Sequence, residues 1–171
     1  MKIVLVGYMG SGKSAIGNAV AKRTGMRFLD LDDAIENSLG IKIPDIFQSK
    51  GELFFRKHER QVLAEILSRN DNFIVSTGGG TPCYSGNMDY ILQHADHVVY
   101  LQVPIPALVR RLSMEKEHRP LIKHIPDEEL PEFIGKHLFE RNLFYSKATH
   151  TIACQQKSID TIAQEIAEIL L

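Results

Sequence analysis

The sequence predicts an α/β fold: a three-layer domain with a central parallel sheet of about five strands flanked by helices, and with a lid. Three observations predict it. Short apolar runs alternate with segments of helical periodicity, the pattern of parallel strands joined by crossover helices. The first apolar run leads straight into a glycine-rich loop and then a helix-like segment. No repeat, low-complexity tract or linker-like shift interrupts the 171 residues, so a single domain over 1–171 is expected.

The elements follow in order. Lys2 to Val6 is apolar and stops at Gly7, as a strand does. Lys13 to Thr24 carries Ile16, Ala19, Val20 and Ala21 before Gly25, a helix with a glycine stop. Arg27 to Asp30 is a second strand. Residues 50–70 place Phe54, Val62, Leu63, Ile66 and Leu67 at helical spacing. Residues 72–76 and 97–101 read as buried strands. Residues 105–113 read as a helix after Pro104, and 127–145 as a longer one. Residues 149–153 supply the last strand. Ser158 caps a final helix that aligns Ile159, Ile162, Ala163, Ile166 and Leu170 on one face. Residues 114–131 break the alternation: they are polar and contain Pro120, Pro126 and Pro131. A compact domain keeps so long an irregular stretch mainly as a lid or binding loop; a solvated loop is the alternative.

Composition narrows the function. Lys+Arg is 20 and Asp+Glu is 21, a formal net charge of -1. No basic field is available for bulk nucleic-acid or membrane-surface binding. No apolar run is long enough to span a bilayer. The N-terminal apolar run ends at Gly7, too early for a signal peptide. Cys83 and Cys154 are isolated, and no CxxC supports a zinc or redox site. A cytoplasmic protein with reduced thiols is expected, working as a monomer without nucleic-acid or membrane partners.

Gly7-Tyr8-Met9-Gly10-Ser11-Gly12-Lys13-Ser14 matches G-x-x-x-x-G-K-[ST] at every fixed position. Its glycines turn backbone N–H groups toward a phosphate chain, and the following helix N-terminus adds positive charge. Lys13 would reach the β- and γ-phosphates, and Ser14 would place its hydroxyl on Mg²⁺. ATP with Mg²⁺ is therefore the expected ligand pair. No N-K-x-D guanine box argues for a GTPase. Neither middle strand ends in the Mg²⁺-associated acid usual in motors and assembly ATPases. A short chain with one phosphate loop and a lid-like segment favours a small-molecule kinase that closes to exclude water.

Three further clusters bear on the acceptor. Asp30 and Asp32 end the second strand and, two apart on an extended chain, would share a face. They would serve as an outer-shell Mg²⁺ acid and a base for an alcohol; the alternative is a solvated strand end with a helix cap from Asp32 or Asp33. Arg56 lies one turn before Glu59, which would align it, although most such pairs are exposed and weak. Gly78, Gly79 and Gly80 follow a strand and strip side chains from a place where something must approach the backbone.

The ordered set of phosphate loop, Asp-x-Asp at 30–32, Phe-Arg-x-x-Glu at 55–59, Gly-Gly-Gly at 78–80, Arg-Pro-Leu at 119–121 and Glu-Arg-x-x-x-Tyr at 140–145 resembles shikimate kinase. The resemblance runs from residue 1 to about 152 and weakens beyond. It implies a P-loop kinase that transfers the γ-phosphate of ATP to the 3-hydroxyl of shikimate, a step toward chorismate. By position it implies Asp32 as base and ring-hydroxyl ligand, and Arg56 and Arg141 as ligands of the shikimate carboxylate. Gly78, Gly79 and Gly80 would be the platform under the ring. Asp30 would contact Mg²⁺ through water, beside Ser14. Lys13 and the lid arginine Arg119 would act on the transferring phosphate. Gly10, Ser11, Gly12, Lys13, Ser14 and Ala15 would cradle the nucleotide, with Arg111 stacked on adenine and Arg110 beside it. A substrate region over about 31–61 and a lid over about 113–130 complete the expectation. Residues 153–157 carry no arginine where the family closes over adenine. Rival readings are a kinase of the same fold for another acid such as gluconate or for a nucleoside monophosphate, and a non-catalytic ATP-binding protein.

Overall fold

The strands β1 (Lys2–Val6), β2 (Arg27–Asp30), β3 (Phe73–Ser76), β4 (His97–Gln102) and β5 (His150–Ala153) pair in parallel in a computed structural model that describes residues 1–171. Their order across the sheet is β2-β3-β1-β4-β5. β1 is central: Leu5 pairs with Ser76 on one side and with Val99 on the other. Ile3, Val4, Leu5 and Val6 are each fully buried. A parallel strand covered on both faces needs apolar residues at every position, not at alternate ones. All five strands point the same way, so their C-terminal ends share one edge, where sites form in open α/β sheets.

Seven helices flank this sheet: α1 (Lys13–Thr24), α2 (Leu31–Leu39), α3 (Ile43–Leu67), α4 (Asn87–His94), α5 (Ile105–Glu115), α6 (Leu130–Tyr145) and α7 (Ile159–Ile169). α1 packs against α7, and α5 against α6. α1 lies hard against β2. A Cβ on Gly17 would come within 2.4 Å of the Phe28 ring, so only glycine fits there. Ser158 caps α7 as expected, accepting from the Thr161 N–H. No helix of the molecule is long and apolar enough to cross a membrane.

The structure departs from the sequence reading in three places. First, Asp30 is both the last residue of β2 and the N-cap of α2; its side chain accepts from the N–H groups of Asp32 and Asp33. Asp32 therefore sits in the first turn of a helix, and the shared strand face expected for Asp30 and Asp32 does not exist. Neither Asp32 nor Asp33 is the cap. Second, α3 starts at Ile43, not at residue 50. It is broken at Gly51, whose φ of 82° and ψ of 171° lie outside helical space. The predicted start fell on that break. Third, residues 114–131 are more ordered than expected. α5 runs to Glu115, a short 3₁₀ turn covers Lys116–His118, and α6 begins at Leu130 with Pro131 in its first turn. Ile122 anchors the intervening turns, fully buried. α2 and α4 have little apolar periodicity to read: each carries only two buried apolar side chains, Leu31 and Ile35 in one and Met88 and Ile91 in the other.

Candidate active site

The C-terminal edge of the sheet opens into a cleft of about 550 Å³. Its floor is the loop from β1 to α1. Gly10 at φ 77° and Gly12 at φ 88° hold left-handed conformations that turn this loop inward. Gly12 is the N-cap of α1 with no side-chain cap, so the first-turn N–H groups of α1 have no capping partner. This is an anion cradle of the helix N-terminal kind. Lys13 is 8% exposed, and its Nζ donates to the carbonyls of Gly7 at 2.7 Å and Tyr8 at 3.0 Å. Burial pushes its ammonium down to about 8, opposed by Asp32 and reinforced by Arg119 and Arg141. A phosphate at this cradle would restore the charged form.

Ser14 Oγ donates to Asp30 Oδ2 at 2.6 Å, while Asp30 Oδ1 accepts from the Asp32 N–H at 2.9 Å. One oxygen of Asp30 thus holds the helix and the other meets the hydroxyl. A hydroxyl and a carboxylate side by side are hard oxygen donors, which fit Mg²⁺. No group of three or more His, Cys, Asp or Glu is clustered to hold a metal unaided. A cation here would draw its other ligands from phosphate and water.

Asp32 lines the same cleft. Its carboxyl is pushed up to about 6 by burial first, then by Asp30 and Glu59, with Lys13 opposing. Gly78 and Gly79 line the cleft beside it. Their lack of side chains is required by close approach: a Cβ on Gly78 would sit 3.2 Å from Asp32 Oδ1, and one on Gly79 3.1 Å from both Arg141 Nη1 and the Met9 nitrogen. Gly80 stands apart from the other two glycines. It is buried and absent from the cleft lining, and a Cβ there would press 2.9 Å from Arg56 Nη2 and 3.3 Å from Arg141 Nη2. Its role is to make room for two guanidinium groups.

Those two groups define the far end of the site. Arg56 Nη1 donates to Glu59 Oε1 at 3.0 Å. The pair is not the exposed kind that its spacing suggests, because Glu59 is 1% exposed. Glu59 also accepts from Thr81 Oγ1 at 2.9 Å. Burial raises the Glu59 carboxyl, and Arg56 chiefly opposes this. Arg56 also lies over the Tyr84 ring at 3.8 Å. Its Nε is buried without a hydrogen-bond partner, and Glu52 Oε1 stands 3.8 Å from it. Arg141 lies 5.7 Å from the Tyr8 ring centroid and forms no ion pair with any acid.

On the opposite wall, Arg119 Nε and Nη2 both donate to Glu115 Oε2, at 2.9 and 2.8 Å, and both residues line the cleft. Arg111 lines it too and donates to the Gly10 carbonyl, whereas Arg110 is absent from the lining. Of the two neighbouring arginines, Arg111 is the one that reaches the cleft. Lys157 and Ile159 also line the cleft, so the 153–157 stretch reaches it through Lys157 alone. Ser11, Gly12 and Ala15 lie along the cradle as expected.

Sequence reasoning missed Thr81, Tyr84 and Tyr145. Tyr145 donates its hydroxyl to the Gly79 carbonyl. Its only sequence signal was its place at the end of the 140–145 motif. Thr81 and Tyr84 had none, since the turn that carries them has no periodicity to read.

Comparison with known proteins agrees with this geometry. The family model described as shikimate kinase matches residues 9–171. A shikimate kinase of Flavobacterium psychrophilum is 46% identical over 169 residues, covering 99% of this chain and 98% of that protein. One from Flavobacterium johnsoniae is also 46% identical, covering 99% and 98%. A crystal structure of shikimate kinase from Bacteroides thetaiotaomicron superposes with a TM-score of 0.91 at 34% identity, covering 99% of this chain and 98% of that one. The shikimate kinase of Acinetobacter baumannii in complex with shikimate superposes at 0.89 and 34%, covering 99% and 92%. The family match continues to the C-terminus, past the point near residue 152 where the motifs fade. With cradle, carboxylates, glycine floor and paired arginines all on one sheet edge, the chain belongs to the shikimate kinase family.

Proposed function

We propose that this chain transfers the γ-phosphoryl group of ATP to the 3-hydroxyl of shikimate. The observation that carries the acceptor end is the pair of guanidinium groups over Gly79 and Gly80. Arg56 keeps a buried Nε without a hydrogen-bond partner, and Arg141 has no acid partner. Two such groups suit a planar carboxylate, which accepts bidentate, charge-assisted hydrogen bonds.

Each residue has a task in this reading. Gly10, Ser11, Gly12, Lys13, Ser14 and Ala15 hold the triphosphate, and Arg111 covers the base. Ser14 binds Mg²⁺, with Asp30 behind it. When bound, the cation neutralises charge on the β- and γ-phosphates. Asp32 accepts the hydrogen bond of the attacking hydroxyl and fixes its direction. With a carboxyl held near 6, it is ionised at neutral pH and close enough to the working range to take a proton. The transition state is loose, so alignment matters more than base strength. Arg56 and Arg141 fix the acid end of the ring over Gly78 and Gly79. Arg119 leaves Glu115 for the transferring phosphoryl group, which carries more negative charge. The acceptor region over about 31–61 and the lid over about 113–130 exclude water around these groups. The chain acts as a cytoplasmic monomer in this account.

The test is a coupled ADP-release assay with ATP and Mg²⁺. Shikimate should drive release, and gluconate and nucleoside monophosphates should not. ADP release with gluconate or a nucleoside monophosphate alone would transfer the chain to one of the rival substrate classes.

A further inference from the structure

A partly buried polar pair joins the phosphate loop to α6. Tyr8 Oη and His137 Nδ1 lie 2.8 Å apart, and the two rings meet edge to face at 5.4 Å. Tyr8 is a variable position inside the phosphate-loop motif, and it is 2% exposed. His137 is on α6, one turn before Arg141 and two turns before Tyr145. Residues four apart on a helix share a face. That face is spent on the site at every turn. His137 bonds Tyr8 in the nucleotide loop. Arg141 lies over the Tyr8 ring and against Gly79 and Gly80. Tyr145 bonds the Gly79 carbonyl.

We propose that Tyr8 and His137 are a positioning pair for the acceptor: their hydrogen bond ties α6 to the phosphate loop and so sets where the Arg141 guanidinium stands. The inference rests on Arg141 being a ligand of the substrate carboxylate. Breaking this bond leaves the hydroxyl of buried Tyr8 without its partner, which is costly. The Tyr8 ring also offers its face to Arg141, so the ring's orientation and the guanidinium's position are linked. Burial, with Arg141 adding to it, pushes the His137 imidazole down to about 4, so the ring is neutral. Burial likewise raises the Tyr8 hydroxyl to about 12. Two neutral groups make this bond in either histidine tautomer.

The test uses three single variants and one double variant of the full chain, each checked for folding by its melting transition. Tyr8→Phe removes only the hydroxyl. His137→Leu removes the ring's polar atom. His137→Asn returns an amide atom near the position of Nδ1. Tyr8→Phe and His137→Leu should each raise the KM for shikimate about three- to tenfold, with kcat and the KM for ATP within about twofold. His137→Asn should recover most of the loss. The double variant should be no worse than the worse single, because both delete one bond. An unchanged KM for shikimate in folded Tyr8→Phe would overturn the proposal. So would losses that add in the double variant, or no recovery by His137→Asn alongside a lowered melting temperature alone. Should His137→Leu fail to fold, Tyr8→Phe still decides the matter. Failure of the functional reading is a separate outcome, in which wild type itself shows no shikimate-dependent ADP release.

Discussion

Asp32 shows how one side chain is placed against its own comfort. It sits in the first turn of α2, faces the cleft, and has Asp30 and Glu59 as like-charged neighbours. Its carboxyl therefore titrates near 6 in the folded chain, above its ordinary value of 3.8. The folded state holds that proton more tightly than the unfolded state. The stabilisation is complete below about pH 4 and is lost as pH rises through about 6. At pH 7 the ionised group costs the fold about 1 to 3 kcal/mol. Asp32→Asn should raise the melting temperature at pH 7 and change it little at pH 4. The same variant should leave ATP affinity intact and cut turnover severely. Near-normal turnover would remove Asp32 from the role assigned to it. For wild type, kcat/KM should fall as pH drops through about 6, where Asp32 protonates, and again above about 8, where Lys13 loses its proton. The basic limb should move upward in kcat, because bound phosphate favours the ammonium. A flat profile between pH 5 and 9 would contradict both assignments. The chemical identities here were legible in the sequence. The placement was not: nothing in Phe28-Leu29-Asp30-Leu31-Asp32 marks where strand yields to helix without an intervening loop.

Elements explain why some motifs read clearly and others did not. β1 and α1 were fixed by short-range chemistry, an apolar run closed by glycine and a helix closed by Gly25, and their bounds agree with the structure. The lid segment did not read as structure because its order comes from tertiary contact. Ile122 is buried, and Lys116 pairs with Asp127 at 2.8 Å. Prolines there begin turns and helices, Pro126 before the short 3₁₀ turn and Pro131 in the first turn of α6; they do not make the segment formless. Arg119 joins the lid to the end of α5 through Glu115, four residues earlier. That pair is partly exposed, so it is a light restraint that a phosphate competes for readily. Arg119→Ala should lower kcat by about 10³-fold, the scale of arginine fingers on transferring phosphate, with the KM for shikimate changed far less. A kcat within threefold of wild type would place Arg119 outside the chemistry. α6 is the other element to weigh. Its helical nature was readable, but the use of one face for three site contacts required the fold.

At the scale of the molecule, near-neutral charge conceals a concentrated site. The sequence alone suggested five cations, Lys13, Arg56, Arg111, Arg119 and Arg141, facing two acids, Asp30 and Asp32. The structure adds Glu59, paired to Arg56, and Glu115, paired to Arg119. The excess falls from three positive charges to one before any ligand arrives. Two of the site's four arginines, Arg56 and Arg119, are therefore paired before any anionic ligand arrives, while Arg111 and Arg141 have no acid of their own. In the proposed function the two ligands divide the site: ATP on the β1–α1 loop that lines the cleft, and the substrate carboxylate at Arg56 and Arg141 beside Gly79 and Gly80.

That division is the central claim, and equilibrium binding to Arg141→Ala tests it most directly. Dissociation constants for shikimate and for a non-hydrolysable ATP analogue should be measured separately on the folded variant. Losing a charge-assisted hydrogen bond to a carboxylate costs about 1.5 to 3 kcal/mol, roughly ten- to a hundredfold in affinity. Shikimate binding should weaken by that factor while nucleotide binding stays within twofold. Equal weakening of both ligands, or loss of nucleotide affinity alone, would contradict the account.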